Sequence, residues 1–240
     1  EYFPSMTADG EKLVFTARIP VPNDLEGKIE HEDFFVSTRE IKEWTARKNI
    51  GPPINSPGNE GAQCISVDGQ YLFFTKCRTR DMGGCDIWVA IKTPGGWSAP
   101  QNLGKPVNSG AWESQPSFSA DGKTLYFVSN RNGGKGKKDL WKAELQSVTK
   151  AGKLIFSEPV NLGSPVNTPG DEMTPFIHPD NRTLYFASDG HTGMGGLDIF
   201  FARKVRVDSF TTPVNLGYPI NTHQDRSEER RVGKECATGC

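Results

Sequence analysis

Nowhere in these 240 residues is there an uninterrupted apolar stretch of about 20, the length a membrane-spanning helix needs. Charge of one sign is missing as well. Lys and Arg number 28 against 29 Asp and Glu, so the net charge of −1 provides no general footprint for nucleic acid or an anionic membrane. Helical periodicity is scarce: no helix of three turns can be drawn, and the one segment with helical propensity, Thr38 to Lys48, falls where a connection between strands belongs, so a loop or single turn is expected there. Cysteines are few, five in all, and none forms a Cys-x2-Cys pair beside a histidine, which speaks against zinc. The four histidines, His31, His178, His191 and His223, are scattered, and no nucleophile elbow can be read. Catalytic residues, cofactors and metal ligands are therefore all expected to be none.

What the chain does have is a sentence repeated four times: Glu-x7-Asp-Gly, an apolar triplet, a Gly-rich turn, Asp-apolar-aromatic, then aromatic-x4-Asn-x-Gly-x-Pro-x-Asn. The turn Asp recurs at Asp9, Asp68, Asp121 and Asp180, in steps of 59, 53 and 59 residues, and a second Asp recurs at Asp33, Asp86, Asp139 and Asp198. A period of this length marks a modular array. Within each unit the apolar runs are short and rich in aromatic and β-branched residues, as in Leu125-Tyr126-Phe127-Val128, and they are apolar on both faces. Strand a then precedes Asp-Gly, strand b follows it, strand c starts at the second Asp, and strand d lies near the aromatic-x4-Asn. Asp-Gly suits the a–b turn because Gly accepts positive φ and Asp can bond nearby backbone N–H groups. Small antiparallel four-stranded sheets, covered on both faces and repeated every 50 to 60 residues, predict an all-β fold, a β-propeller.

The residues Pro116-Ser117-Phe118-Ser119-Ala120-Asp121-Gly122-Lys123-Thr124-Leu125-Tyr126-Phe127-Val128-Ser129-Asn130-Arg131, with Asp198-Ile199-Phe200, resemble the TolB-type, WD-repeat-like propeller repeat. The Asn-Leu-Gly-x-Pro-Val-Asn-x4-Glu linkers are similar to those of Bacteroidetes-type envelope proteins, where such a propeller often precedes an OmpA-like domain or serves a type IX secretion apparatus. The resemblance implies a periplasmic or outer-membrane-associated binding module for envelope proteins or peptidoglycan, with no nucleic acid partner. Its rival is the gating or substrate-binding propeller of a hydrolase, prolyl-oligopeptidase-like or glycan-processing. The chain departs from the pattern at Cys77, which replaces the Asn of Ser-Asn-Arg, at Asp189-Gly190, which replaces Asn-Arg, and at Asp180-Asn181, which replaces Asp-Gly.

The repeat also sets expected boundaries. Blades should span approximately 1–59, 60–112, 113–171 and 172–225, with an insertion from Ile19 to Glu30 in the first. Because Asn221 opens another linker and Glu1 stands at a blade start without an initiator Met, the chain reads as an internal stretch of a propeller with five or more blades. The grammar breaks at Arg226, where Glu is expected. Residues 226–240, which include Cys236 and Cys240, resemble the translation of a sequencing adapter and are set aside.

Two sets of residues invite a functional reading. Glu1, Glu60, Glu113 and Glu172 stand eight residues before each turn Asp, near the start of strand a. They could form an acidic ring at a channel mouth that binds a cation, a basic peptide or a sugar; alternatively each caps its own linker or pairs with an Arg such as Arg78 or Arg131. Recurrence in every unit favours the second. Asp33, Asp86, Asp139 and Asp198, like the turn residues Asp9, Asp68, Asp121 and Asp180, are expected to build the blades by bonding loop N–H groups rather than metal. Cys77 and Cys85 end strand b and begin strand c of one hairpin, and can be a disulfide or two free thiols.

Overall fold

The computed structural model describes residues 2–7, 9–20, 30–77, 84–206 and 209–225. Glu1, Arg78, most of the first-blade insertion and residues 226–240 lie outside these. Among the described residues there are twenty strands and no helix. Blade 1 holds β1 (Tyr2–Met6), β2 (Lys12–Pro20), β3 (Glu30–Glu40), β4 (Glu43–Trp44) and β5 (Lys48–Asn49). Blade 2 holds β6 (Asn59–Ile65), β7 (Tyr71–Cys77), β8 (Cys85–Thr93), β9 (Gly96–Trp97) and β10 (Gln101–Asn102). In blade 3 are β11 (Glu113–Phe118), β12 (Thr124–Ser129), β13 (Asp139–Val148), β14 (Leu154–Phe156) and β15 (Val160–Asn161). Blade 4 comprises β16 (Glu172–Ile177), β17 (Thr183–Ser188), β18 (Asp198–Arg206), β19 (Ser209–Phe210) and β20 (Val214–Asn215).

Every blade is an antiparallel sheet in which three long strands pair in sequence order and two short ones both pair with the third. The single strand d expected from the sequence is thus two fragments, with aromatic Trp44, Trp97, Phe156 or Phe210 in the first and Asn49, Asn102, Asn161 or Asn215 in the second. Thr38 to Lys48 is a loop only in part, with a turn at Ile41-Lys42 and irregular backbone over Thr45 to Arg47, and it carries strand residues on either side of the turn. It closes the hairpin between β3 and β4, held where the Thr38 N–H donates to Thr45 Oγ1 at 2.9 Å and the Thr45 N–H to Thr38 O at 2.9 Å. Two opposed backbone segments zipped from both sides leave nothing for a helical turn to add.

The four sheets form a β-propeller. Their leading strands β1, β6, β11 and β16 touch in succession and so line the inside of the array. Apolar faces pack between blades because each b and c strand is buried on both sides. Between blades 2 and 3, Phe73 meets Phe118 at 4.8 Å between ring centroids; between blades 3 and 4, Tyr126, Val128 and Leu140 lie against Leu184, Phe186 and Phe200. Blade 1 packs on 2, 2 on 3 and 3 on 4; among the described residues, no strand of blade 4 touches blade 1.

Two local devices recur. Each leading strand has a bulge at the same place, where Phe3, Ala62, Gln115 and Thr174 take φ of 51°, 51°, 56° and 48°. A left-handed non-glycine residue costs about 1 kcal/mol or more, and here neighbouring blades hold it: the Gln115 N–H donates to Thr75 Oγ1 at 3.1 Å and the Thr174 N–H to Gln115 Oε1 at 2.8 Å. The second device is the a–b turn. Asp9, Asp68, Asp121 and Asp180 each accept the N–H two residues ahead at 2.9, 3.0, 3.1 and 2.8 Å, and Gly10, Gly69 and Gly122 follow at positive φ. In blade 4 Asn181 takes that conformation and uses its amide oxygen to accept the Ala120 N–H of blade 3 at 2.8 Å.

Although its slight burial opposes the shift, hydrogen bonds from the Thr183 backbone and hydroxyl and the Arg182 backbone hold the Asp180 carboxyl well below the usual carboxylate range. A depressed pKa stabilises the fold above the unfolded value, roughly pH 4, and that contribution is lost as pH falls through the folded value. Asp180→Asn is therefore expected to lower the urea midpoint at pH 7, with the gap to the parent protein narrowing in strong acid. A gap that stays constant with pH would contradict this account of the turn.

Candidate functional site: a buried polar relay and an open groove

The recurrent polar residues converge on the linker that joins one blade to the next. From the second Asp of each unit, Oδ2 accepts the side-chain amide of the first linker Asn: Asn49 to Asp33 at 2.7 Å, Asn102 to Asp86 at 2.8 Å, Asn161 to Asp139 at 2.8 Å and Asn215 to Asp198 at 3.4 Å. That Asn in turn accepts the amide of the second linker Asn, as when Asn167 donates to Asn161 at 2.9 Å. The second Asn grips strand c like an extra strand residue. Asn167 accepts the Leu140 N–H and donates to Leu140 O, both at 2.9 Å, and Asn55, Asn108 and Asn221 do the same with Phe34, Ile87 and Ile199.

The relay then crosses to the following blade. The residue after the second Asn is Ser56, Ser109 or Thr168, and its N–H and hydroxyl both donate to the leading Glu: Ser109 to Glu113 at 2.9 and 2.6 Å, Thr168 to Glu172 at 2.9 and 2.6 Å. Ser56 grips Glu60 in the same way. Glu60, Glu113 and Glu172 have no exposed area. They present no carboxylate to a channel mouth, so an acidic ring is not what these three build; Glu1 lies outside the described residues.

A buried carboxylate needs a full set of partners, and each blade supplies them differently. In blade 3, Ser129 donates to Glu113 at 2.8 Å and Arg131 pairs with it at 3.1 Å. Burial lowers the Arg131 pKa, opposed by the Glu113 charge, and the guanidinium also reaches the carbonyls of Pro106 and Val107. In blade 2 the Ser129 position is Lys76, whose ammonium lies 2.6 Å from Glu60. Sequence reasoning missed Lys76 because it looked to Arg78, which stands at the repeat position of Arg131 and lies outside the described residues. In blade 4, Ser188 donates to Glu172 at 2.8 Å and His191 takes over the carbonyl contact, bonding Val166 O at 2.8 Å. Burial pushes the Glu172 carboxyl above its usual range, against the pull of the Thr168 and Ser188 hydrogen bonds.

The Cys77 departure has a similar logic. Asn130 and Asp189, at the same repeat position, accept the N–H of Trp112 and Asp171 at 2.8 and 2.7 Å. Cys77 instead forms a disulfide with Cys85, its cross-strand partner in the β7–β8 register, closing a sequence separation of 8. The remaining described thiol, Cys64, accepts the Phe118 N–H at 3.3 Å, and burial pushes its pKa up to about 11, so it is a packing residue rather than a nucleophile. Asp139 receives the Lys135 and Gly136 N–H groups, and Asp198 the Met194 N–H, so the Gly-rich loops fold onto these carboxylates. Among the described residues no group of three His, Cys, Asp or Glu is placed to hold a metal ion.

The accessible surface differs from blade to blade. Between blades 3 and 4 lies an open groove of ≈ 430 Å³ lined by Asp121, Lys123, Lys142, Glu144 and Lys204 among others. Lys142 is buried to its tip, 3.6 Å from Glu144, which also accepts the Thr124 hydroxyl at 2.9 Å. The repeat positions of Lys142 hold Val89 in blade 2 and Phe201 in blade 4, so this charge is particular to one blade.

No protein-family model matches the chain, and no curated protein sequence does. Solved structures do. A protein assigned as TolB from Agrobacterium tumefaciens is 16% identical with a TM-score of 0.55, over 88% of this chain and 60% of that one. TolB from Acinetobacter baumannii is 16% identical with a TM-score of 0.53, over 92% of this chain and 44% of that one. RS223 β-xylosidase is 14% identical with a TM-score of 0.56, over 89% and 78%. At such identities the likeness shows the propeller fold alone, and the chain spans about half the length of the two TolB proteins.

Removing Glu113 while Arg131 stays buried is expected to cost about 3 to 5 kcal/mol, whereas Glu113→Ala combined with Arg131→Met should cost less, because no lone charge remains. Chemical denaturation of both single variants and the double variant checks it; losses that simply add would show that the pair is not coupled. Separately, Cys85→Ser is expected to lower stability by about 2.5 kcal/mol from the freed loop entropy, measured against the parent with and without reductant.

Proposed function

We infer that the chain is a non-catalytic propeller scaffold of the bacterial envelope that binds protein or peptidoglycan-associated partners from the periplasmic side. The observation that carries this reading is where the carboxylates are. The fully buried Glu113, with Ser109, Ser129 and Arg131 around it, is spent on joining blades, as are Glu60 and Glu172. Acids held this way recognise nothing outside the blade. Recognition then falls to positions the blades do not share, and the groove sets Lys123 and Lys204 with the carboxylates of Asp121 and Glu144 on one open face, above the buried Lys142. Such a surface suits an acidic, hydrogen-bonding partner, with charge governing the rate and specificity of docking. The TolB-type resemblance of the repeat supports the envelope setting.

A second reading, the substrate-binding propeller of a glycan-processing hydrolase, is favoured by the likeness to RS223 β-xylosidase, which is matched over 78% of its length. Co-sedimentation with purified peptidoglycan sacculi and cross-linking to purified envelope proteins, each with the parent chain and with Lys123→Glu/Lys204→Glu, separates the two. The scaffold reading expects capture by the parent, weakened several-fold in the variant and by added salt, with no turnover of aryl xylosides or peptide anilides. Turnover that survives purification would overturn it.

A further inference from the structure

At the end that carries the a–b turns, the seams between successive blades are not closed alike. Between blades 2 and 3, Tyr71, Val89 and Ile91 of the earlier blade join the apolar cluster that holds Leu145 and Phe156 of the later one. The β13–β14 connection folds over them, so that a Cβ added at Gly152 would stand 3.2 Å from the Ile91 side chain. Between blades 3 and 4 the corresponding residues are Thr124, Lys142 and Glu144, and Lys204 takes the place of Leu145. Residues 207 and 208 alone separate β18 from β19, against residues 149–153 between β13 and β14, too few to fold back in the same way. The groove of ≈ 430 Å³ is what remains of a seam that is apolar and covered one blade earlier.

Its charges fall short of balance. The ammonium groups of Lys123, Lys142 and Lys204 stand against the carboxylates of Asp121 and Glu144, which leaves one positive charge in excess. Both carboxylates are engaged within the blade: Asp121 Oδ1 accepts the Lys123 N–H at 3.1 Å, and Glu144 accepts the Thr124 hydroxyl at 2.9 Å beside Lys142 at 3.6 Å. The Lys142 side chain is 5% exposed, so its charge acts from the floor through protein, where Coulomb energy is larger than in water. Lys123 is exposed and Lys204 half-buried, and these two can meet a ligand directly. One surplus charge suits a monoanion, because a second negative charge on the same group would also face Asp121 and Glu144. Among the described residues no aromatic ring lines the groove, so a sugar finds no flat apolar face there, while the exposed Val160 offers an apolar contact of side-chain size.

We propose that the groove between blades 3 and 4 binds an acidic peptide segment through a single Asp or Glu carboxylate, held by Lys123 and Lys204 above Lys142. The proposal rests on the scaffold reading above and names the chemistry of its partner. Placing Lys142 where blade 2 has Val89 costs desolvation, and an anion above it offsets part of that cost.

Amide NMR of the isotope-labelled chain tests it, with a library of end-blocked tetrapeptides that each carry one Asp or Glu. Matched libraries with Asn or Gln and with phosphoserine, and an oligogalacturonate, are the comparison probes. The acidic library is expected to move the signals of Lys123, Thr124, Glu144 and Lys204, less so as salt is added, and the Asn/Gln library to leave them in place. Lys142→Val/Glu144→Ile, which installs the residues of blade 2, should keep the fold and abolish these shifts; Lys204→Gln should weaken binding several-fold. If the filled groove disturbs folding, Lys123→Gln/Lys204→Gln serves in its place with the same expected loss. The proposal is overturned by an acidic library that moves nothing at the groove, by equal shifts from the Asn/Gln library, by tighter binding of phosphopeptide or oligogalacturonate, or by shifts that survive in the variants. Undiminished capture of sacculi or envelope proteins by the filled-groove variant would overturn it and leave the scaffold reading standing; peptide binding at the groove without capture of either would do the reverse.

Discussion

A carboxylate with no water around it must have its charge met by donors, and in this chain that requirement ties each blade to the one before it. Glu60, Glu113 and Glu172 are fully buried at the start of their blades, yet two of the donors each requires belong to the linker that leaves the preceding blade. The cost of stripping water from such a group is several kcal/mol when it goes unmet. Blade order and spacing follow from it: a blade that drifted from its neighbour would strand a charge, which is a stronger penalty than the loss of some apolar contact.

Around that constraint the rest of the unit arranges itself. The linker must place a Ser or Thr at the carboxylate, so two Asn residues lock it to strand c and to the second Asp. The leading strand must bring the Glu inward and still pair with strand b, and the bulge at Phe3, Ala62, Gln115 and Thr174 allows both by shifting register once. Where a blade changes one partner, it changes another nearby. Lys76 supplies a cation where blades 3 and 4 have Ser, and Cys77 brings a covalent tie to Cys85 where those two blades have a side chain that accepts the N–H ahead of the Glu.

Much of this was legible in the sequence and some was not. The turns at Asp68-Gly69 and Asp121-Gly122 could be read because Gly alone takes positive φ freely and Asp bonds the backbone just ahead of it. The long strands could be read because apolar runs of four residues bounded by turns have few other uses. The destination of Glu113 could not, since recurrence shows that a position matters without showing which way its side chain points. Nor could the bulge: Phe, Ala, Gln and Thr share no chemistry that marks a left-handed residue, and the strain is borne by neighbouring blades. The division of strand d escaped notice because its fragments are two or three residues long, too short for any period to register. Lys76 was missed because compensation moved the cation to another repeat position.

Hydrogen exchange followed by mass spectrometry tests most directly whether the relay holds the array together. Residues 50–56, 103–109 and 162–168 are largely irregular linkers, and ordinary surface connections of that kind exchange rapidly. If the buried Glu and paired Asn residues anchor them, amides such as those of Asn108, Ser109, Asn167 and Thr168 are expected to exchange as slowly as the central strands Thr124–Ser129 and Thr183–Ser188, and to open together with them. Fast exchange in the linkers while those strands stay protected would contradict the account, and would place the cohesion of the propeller in its apolar faces alone.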